Sequence, residues 1–293
     1  MQGVDEPQNF KAECYCRLLR NDIVGEGEEH LKIFWSFTRQ AFQFISVYRF
    51  NFFMEFILTI LRMYAIYWVW RILYTQRPDA FGVSMEQMIT YGMMGMVLEL
   101  FIWSRPQWYM ATQVKSGAID TDLMKPLDFH LHMLARSVGE MMIGVGVLAI
   151  PAMIIGYLFL DLQFPPDVWT AMLFIVSVLL GFLLFFHLNF LLGSLAVSAL
   201  DIRHINWAYF SLVHFLGGQV VPLWLFPPVV AAIAEVLPFK GTYYIPISIY
   251  IGKLTGLDAI RALEFQMVWL IVLVLVSRML WGWAHRRLVV QGG

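Results

Sequence analysis

The residues of this chain best placed to do chemistry are ionisable and polar side chains set inside long apolar runs. Glu55, Arg62 and Arg71 interrupt the first run, and Glu99 and Arg105 the second. His187 and Asn189 lie in the fourth, His214 and Gln219 in the fifth, and Arg278 in the sixth. A charge in hydrocarbon is costly, so such groups pair, line a wet path or touch a cargo. At about 1.5 Å of rise per residue, Glu99 falls between Glu55 and Arg62 in height above the inner face. That makes a Glu99–Arg62 ion pair geometrically possible, either as a clamp between two helices or as a cargo contact. His187 and His214 read as hydrogen-bonded packing residues, because a proton relay needs an acid at matching depth. Cys14 and Cys16 are too few for a four-ligand zinc site and read as reduced thiols, so no metal is expected.

Two stretches imitate phosphate chemistry. FLGGQ, at Phe215 to Gln219, is one residue away from LSGGQ, a signature with which certain ATPases grip nucleotide. Such a signature needs a water-facing helix N-terminus, yet FLGGQ falls within the outer half of an apolar run. The nearest approach to a P-loop is Gly252-Lys253-Leu254-Thr255, with Ile247 where the first glycine belongs and Leu254 where Ser or Thr belongs. The glycine pair therefore reads as a close-packing device. This chain is expected to bind no cofactor and to carry no catalytic residue of its own.

The elements that hold these residues are membrane helices. Of 293 residues, 59% are hydrophobic and 14% charged, against about 25% charged in a soluble domain. The formal net charge of −1 gives no reason to expect nucleic acid. Apolar stretches of about 17–25 residues are candidate spans. Six are expected: Phe50 to Leu73, Met88 to Trp108, Val138 to Leu160, Val168 to Ser198, Ile205 to Phe226 and Phe265 to Ala284. The first long apolar run begins only near Phe50, which predicts a retained, cytosolic N-terminus. With both termini inside, the inner segments hold Lys11, Arg17, Arg20, Lys32, Arg39, Arg49, Lys115, Lys125, Arg136, Arg203, Arg286 and Arg287. The outer ones hold Arg77, Lys240, Lys253 and Arg261, a bias of about three to one in the direction the positive-inside rule demands.

Three segments are not spans. Residues 29–49 carry Leu31, Phe34, Trp35, Thr38, Phe42 and Ile45 on one stripe, which suits a helix lying in the interface. Residues 227–264 are apolar but broken by Pro227, Pro228, Pro238, Gly241, Pro246 and Gly252, and read as short helices that enter from the outer face and return. Residues 109–137 form the longest polar interruption on the inner face. There Gly117 stops a helix, Asp120 or Thr121 starts another, and Pro126 ends it. This arrangement is either a docking element or a plain connector.

The loop reads Gly117-Ala118-Ile119-Asp120-Thr121-Asp122-Leu123-Met124-Lys125-Pro126-Leu127. Later come Pro222-Leu223-Trp224-Leu225-Phe226-Pro227, Leu237-Pro238-Phe239, Pro246 and Gly252-Lys253. In order and spacing these resemble the membrane subunit of type-2 ABC export permeases, six-span branch, over about Leu31 to Arg287. The resemblance implies an all-α polytopic permease in a bacterial cytoplasmic membrane. It implies a second permease subunit, identical or paralogous, and two cytosolic ATPase subunits that carry ATP and Mg. Gly117, Asp120 to Leu127 would form the coupling helix that docks on the ATPase. Pro222, Trp224, Pro227, Pro238, Phe239 and Pro246 would belong to an outer gate.

The resulting organisation is a polar tail at 1–28, the interfacial helix at 29–49, a six-span permease domain at 50–287 and a tail at 288–293. The expected function is ATP-driven export of an amphipathic or hydrophobic solute or lipid. An ion-gradient-driven secondary transporter is the alternative, and would show an internal hydropathy repeat that is absent between spans one to three and four to six. A membrane enzyme would need converging polar groups such as H-E-x-x-H, which the chain lacks.

Overall fold

The structure is a computed structural model, and it describes residues 49–76, 82–102, 104–125, 128–196 and 203–285, with Lys32, Phe34, Trp35, Ser36 and Thr38 before them. The tails, Cys14, Cys16, most of the 29–49 segment, Pro126 and Leu127 lie outside the described residues. Among the described residues every regular element is helical. In order they are α1 (Arg49–Gln76), α2 (Met85–Phe101), α3 (Pro106–Ser116), α4 (Ile119–Leu123), α5 (Phe129–Ile143), a π-helical turn (Gly144–Ala149), α6 (Ile150–Phe159), α7 (Val168–Ala196), α8 (Arg203–Leu216), α9 (Pro228–Val236), α10 (Tyr244–Tyr250) and α11 (Gly256–His285). Two 3₁₀ turns, Leu223–Leu225 and Pro238–Gly241, flank α9.

Four stretches are long and apolar enough to cross a membrane: Phe50–Gln76, Phe129–Phe159, Val168–Leu195 and Gly256–Ala284. The other two expected spans are shorter helices. The run expected to continue from Met88 to Trp108 breaks after Phe101, leaving α2 with 17 residues. Pro106 has no N–H and disfavours helical backbone before it, and Arg105 sits at φ −128°, ψ 58°. The run expected from Ile205 to Phe226 stops at Leu216 after 14 residues. Gly218 turns the backbone left-handed at φ +68°, a conformation glycine adopts without a steric penalty. FLGGQ is therefore a helix terminus and not part of a span interior. The third and sixth spans also start earlier than expected, at Phe129 and Gly256.

The π turn has a local cause. Ile150 N bonds back to Val145 O, five residues earlier, and Pro151, next in line, has no N–H to give.

α7 is the central helix; α11, α3 and α10 pack along it, and α1 packs along α2. The close approach of α2 to the segment after α8 requires Gly95, because a Cβ there would lie 2.0 Å from Gln219 O. Gly92 likewise faces Ile66 and Trp70 of α1.

Contacts between distant segments define two ends. At one end Gln163 N donates to Thr90 Oγ1 (3.0 Å), Tyr250 Oη to Gln163 O (2.9 Å) and Gln87 Nε2 to Ile251 O (3.0 Å). At the other, Met110, Ile119, Phe129, Met133, Phe186, Phe190 and Trp281 form one apolar cluster. Between the ends, α8 stops at the height of α2's last turns, where Gln219 Nε2 meets Glu99 Oε2 at 3.0 Å. The backbone beyond it is irregular but satisfied by protein. Gly217 O accepts from Tyr244 N, Gly218 O from Tyr91 Oη, Gly241 O from Gln266 Nε2 and Val236 O from Trp269 Nε1.

Candidate functional site

The loop between α3 and α5 is built around one carboxylate. α4 has only five residues, too few to be stable alone. Two of its side chains are buried, Ile119 in the apolar cluster and Asp122 at 2% exposure. Asp122 Oδ1 accepts from Lys125 Nζ at 2.6 Å. Its Oδ2 accepts from Tyr109 Oη and Gln113 Nε2, both at 2.8 Å. Lys125 Nζ also reaches His132 Nε2 at 3.0 Å. Lysine can only donate, so that ring nitrogen accepts and the imidazole is neutral. α4 is thereby tied to α3 and α5 at once.

Burial pushes the Asp122 carboxyl up, but the bonds from Lys125, Gln113 and Tyr109 outweigh it and leave the group below its ordinary 3.8. Tyr109 is pushed up, by burial first and by the Asp122 charge second. The Arg136 guanidinium covers the Tyr109 ring at 4.2 Å, and its Nε lies 3.1 Å from Glu140 Oε1. The few described residues of the 29–49 segment reach the same place, for Thr38 Oγ1 donates to Ala135 O at 3.0 Å.

Facing away from this lock, Thr121 is exposed and Met124 stands out at 77%. Asp120 and Leu123 are half-buried. Gly117 closes α3 with φ +70°. Of the expected docking residues, Asp122 and Lys125 thus point inward and position the helix.

In the long helices Arg62 lies near both Glu55 and Glu99, so the Glu99–Arg62 approach that the shared height allows is present. Arg62 Nη1 lies 3.6 Å from Glu55 Oε1 and 3.6 Å from Glu99 Oε2, with the Arg62 side chain 45% exposed. Gln219 ties Glu99 to the Gly95 carbonyl as well. His214 Nδ1 donates to Phe210 O (2.6 Å), so its Nε2 accepts from Tyr243 Oη (3.1 Å). His187 is a packing residue with partners. Ser277 Oγ donates to Val274 O and accepts from His187 Nδ1 at 3.2 Å and His130 Nε2 at 3.4 Å. His130 and Ser277 were not singled out in the sequence. The only signal was the D-F-H-L-H pattern at the start of α5, which reads equally as loop.

The expected outer-gate residues gather in one body. Trp224 packs edge-on to Tyr91 at 5.3 Å and lies beneath Lys253 Nζ at 4.1 Å. Pro222 and Pro227 flank the first 3₁₀ turn, Pro238 opens the second, and Pro246 is buried in α10. Phe239 packs against the core. Among the described residues no cluster of His, Cys, Asp or Glu could hold a metal ion.

One family model, described as ABC-2 family transporter protein, matches residues 60–292. No curated protein matches the chain.

Proposed function

The chain belongs to the ABC-2 family of transporter proteins, and from that premise we propose that it is the permease subunit of an ATP-driven exporter docked on its ATPase through α4. As a member of that family it is an integral multi-pass membrane protein and the membrane component of an ABC transporter. The observation that carries the docking reading is the construction of α4, a five-residue helix clamped from within by Asp122 and exposing Met124 at 77%. A rigid base under an exposed apolar knob is what a hot-spot contact needs. Hydrolysis of ATP, with its Mg, takes place on the partner.

The two ends support a finer topology. α2 starts at the Ser84 end, and α3, packed along α7, leads on to the Asp122 end, which supports counting α2 as a span. α8, continued by the irregular segment to Tyr250, supports a fifth half-crossing closed by a re-entrant outer plug. Irregular backbone at that depth is tolerated because protein groups satisfy it. An even number of spans puts both termini on one side, and the Lys and Arg bias supports that side being the cytosol of a bacterial inner membrane. A second permease, identical or paralogous, completes the path. Outward movement of an amphipathic or hydrophobic solute or lipid rests on the likeness of the loop and outer segments to export permeases.

The test is a gentle pull-down of the tagged chain from its host. A cytosolic protein with a P-loop and an intact LSGGQ should come along and be lost with Met124→Glu, while the melting temperature stays unchanged. Full recovery of the ATPase with that variant would overturn the docking surface. Absence of any ATPase, even under cross-linking, would overturn the permease reading in favour of gradient-driven transport.

A further inference from the structure

Two of the long apolar stretches meet at one end of the molecule, since one finishes at Phe159 and the next begins at Val168. The 161–167 turn between them therefore lies at the level of lipid headgroups, whichever way the chain is threaded. Trp169 is 59% exposed beside it, as suits an aromatic ring at a span end. A half-open cavity of about 230 Å³ is bordered by this turn. Pockets that take drug-sized molecules measure about 300–1,000 Å³, so this one has room for a single small group.

The walls of the cavity are bonded to one another. Gln163 N donates to Thr90 Oγ1, and Tyr250 Oη donates to Gln163 O, which joins the turn to α2 and α10. Gln87 Nε2 donates to Ile251 O, and Gln87 and Ser84 exchange the two hydrogen bonds of a capping box. Gly252, at φ +73°, brings its backbone so near Pro166 that a Cβ there would lie 2.9 Å from the proline Cγ. These contacts fix the shape of the cavity.

The chemistry of the lining selects for charge. Its one formally charged side chain is Glu86. Glu86 is exposed, and among the described residues its carboxylate accepts one hydrogen bond, from Ser84 Oγ at 3.3 Å, and meets no cation. Lys253, two residues beyond Ile251, holds its Nζ over the Trp224 ring at 4.1 Å. The apolar wall is aromatic. Phe164 stacks on Tyr157 at 3.9 Å, with the rings within 6° of parallel, and Tyr157 Oη donates to Tyr250 Oη. Stacking covers one face of the Phe164 ring, yet the residue is 72% exposed, so the other face is open. A carboxylate and an open aromatic face beside one small cavity both attract a cation. We propose that this cavity is a binding site for an ammonium group, with Glu86 as its counter-charge and Phe164 as its aromatic wall. Aminophospholipid headgroups carry such a group at the same depth, and free small amines carry it in the surrounding water. The site does not depend on the docking reading.

Native mass spectrometry of the full chain, in micelles holding equimolar phosphatidylethanolamine and phosphatidylglycerol, reads the preference directly. The wild type should retain phosphatidylethanolamine several-fold over phosphatidylglycerol. Glu86→Gln and Phe164→Leu should each lose that preference. Asp258→Asn, the same charge change at another exposed carboxylate, should keep it. Neither Glu86 nor Phe164 makes the hydrogen bonds that join the walls, so both variants should melt with the wild type; if Phe164→Leu melts early, Glu86→Gln decides. Ethanolamine alone provides the second arm. A wild type without lipid preference, whose melting temperature ethanolamine raises and Glu86→Gln returns to baseline, would keep the site and make a free amine its ligand. Equal retention of the two lipids with no effect of ethanolamine would overturn the proposal. So would a lipid preference that Glu86→Gln leaves intact, or one that Asp258→Asn lowers as much.

Discussion

Asp122 holds its negative charge in a place closed to solvent, and three donors, two on α3 and one on its own turn, converge on it. A hydrogen bond to a charged group is worth about 1.5–3 kcal/mol, and here the bonds share one carboxylate. Asp122→Asn keeps the volume but turns one acceptor into a donor that faces other donors. It should lower stability by about 2 kcal/mol, read as a fall in melting temperature in detergent. The pH dependence has a definite sign. The folded carboxyl titrates below the unfolded value of 3.8, so the charged form favours the fold. Its contribution is full above 3.8 and disappears as pH falls through the lower folded value. The wild type should therefore lose melting temperature more steeply below that point than Asp122→Asn does. Parallel curves would show that the carboxylate is not what holds α4. The ion pair of Arg62 with Glu99 was legible from the rise per residue, because two straight helices in one bilayer share a scale of height. The inward aim of Asp122 was not, since helical phase has little meaning over five residues between kinks.

At the scale of elements, helix length was not legible. Gly92 and Gly95 mark the face of α2 that takes close neighbours, yet they tolerate change differently. An alanine Cβ at Gly92 meets side-chain rather than backbone atoms, Ile66 Cγ1 at 2.8 Å and Trp70 Nε1 at 3.0 Å. Alanine in a helix interior gains about 1 kcal/mol over glycine, which offsets a small side-chain shift. At Gly95 the same atom meets backbone, Gln219 O at 2.0 Å, and the Gly218 turn behind it cannot yield. Overpacking of this kind costs about 3 kcal/mol or more and breaks the Gln219–Glu99 bond. Gly95→Ala should melt several degrees below the wild type, with Gly92→Ala within a degree or two of it. Equal behaviour of the two would mean that α2 and the α8 turn are not in contact. The breaks after Phe101 and Leu216 escaped a reading by hydropathy because apolar composition continues straight through both. Pro106 and the Gly217–Gly218 pair were the local signals, and each is also tolerated within membrane helices. Tertiary partners such as Tyr91 and Tyr244 decide the matter, and they lie 126 and 27 residues from Gly217 in sequence.

For the whole molecule, the number of crossings decides which face meets the ATPase. If α2 and α8 count as spans, Met124 lies in the cytosol and the 161–167 turn lies outside. If only the four long helices cross, with the N-terminus still inside, the two exchange sides. The proposed function takes the first arrangement. Thr90 of α2 and Tyr250 beyond α8 both bond to Gln163, so the segments before α2, after α6 and after α8 share one end. Asp122, Phe129, Phe190 and Trp281 share the other. A four-span path would place Ser84 and Gln163 on opposite sides of the bilayer while their helices touch. Met124 and Phe164 are 77% and 72% exposed, so a cysteine at either position should leave the fold intact. With Cys14 and Cys16 first replaced by serine, Met124→Cys should react with a membrane-impermeant maleimide only after the cells are opened. Phe164→Cys should react in intact spheroplasts. The reverse pattern would leave four crossings and put α4 outside, where no ATPase could reach it. Docking and topology thus stand on the same pair of thiols, and a single labelling experiment tests both.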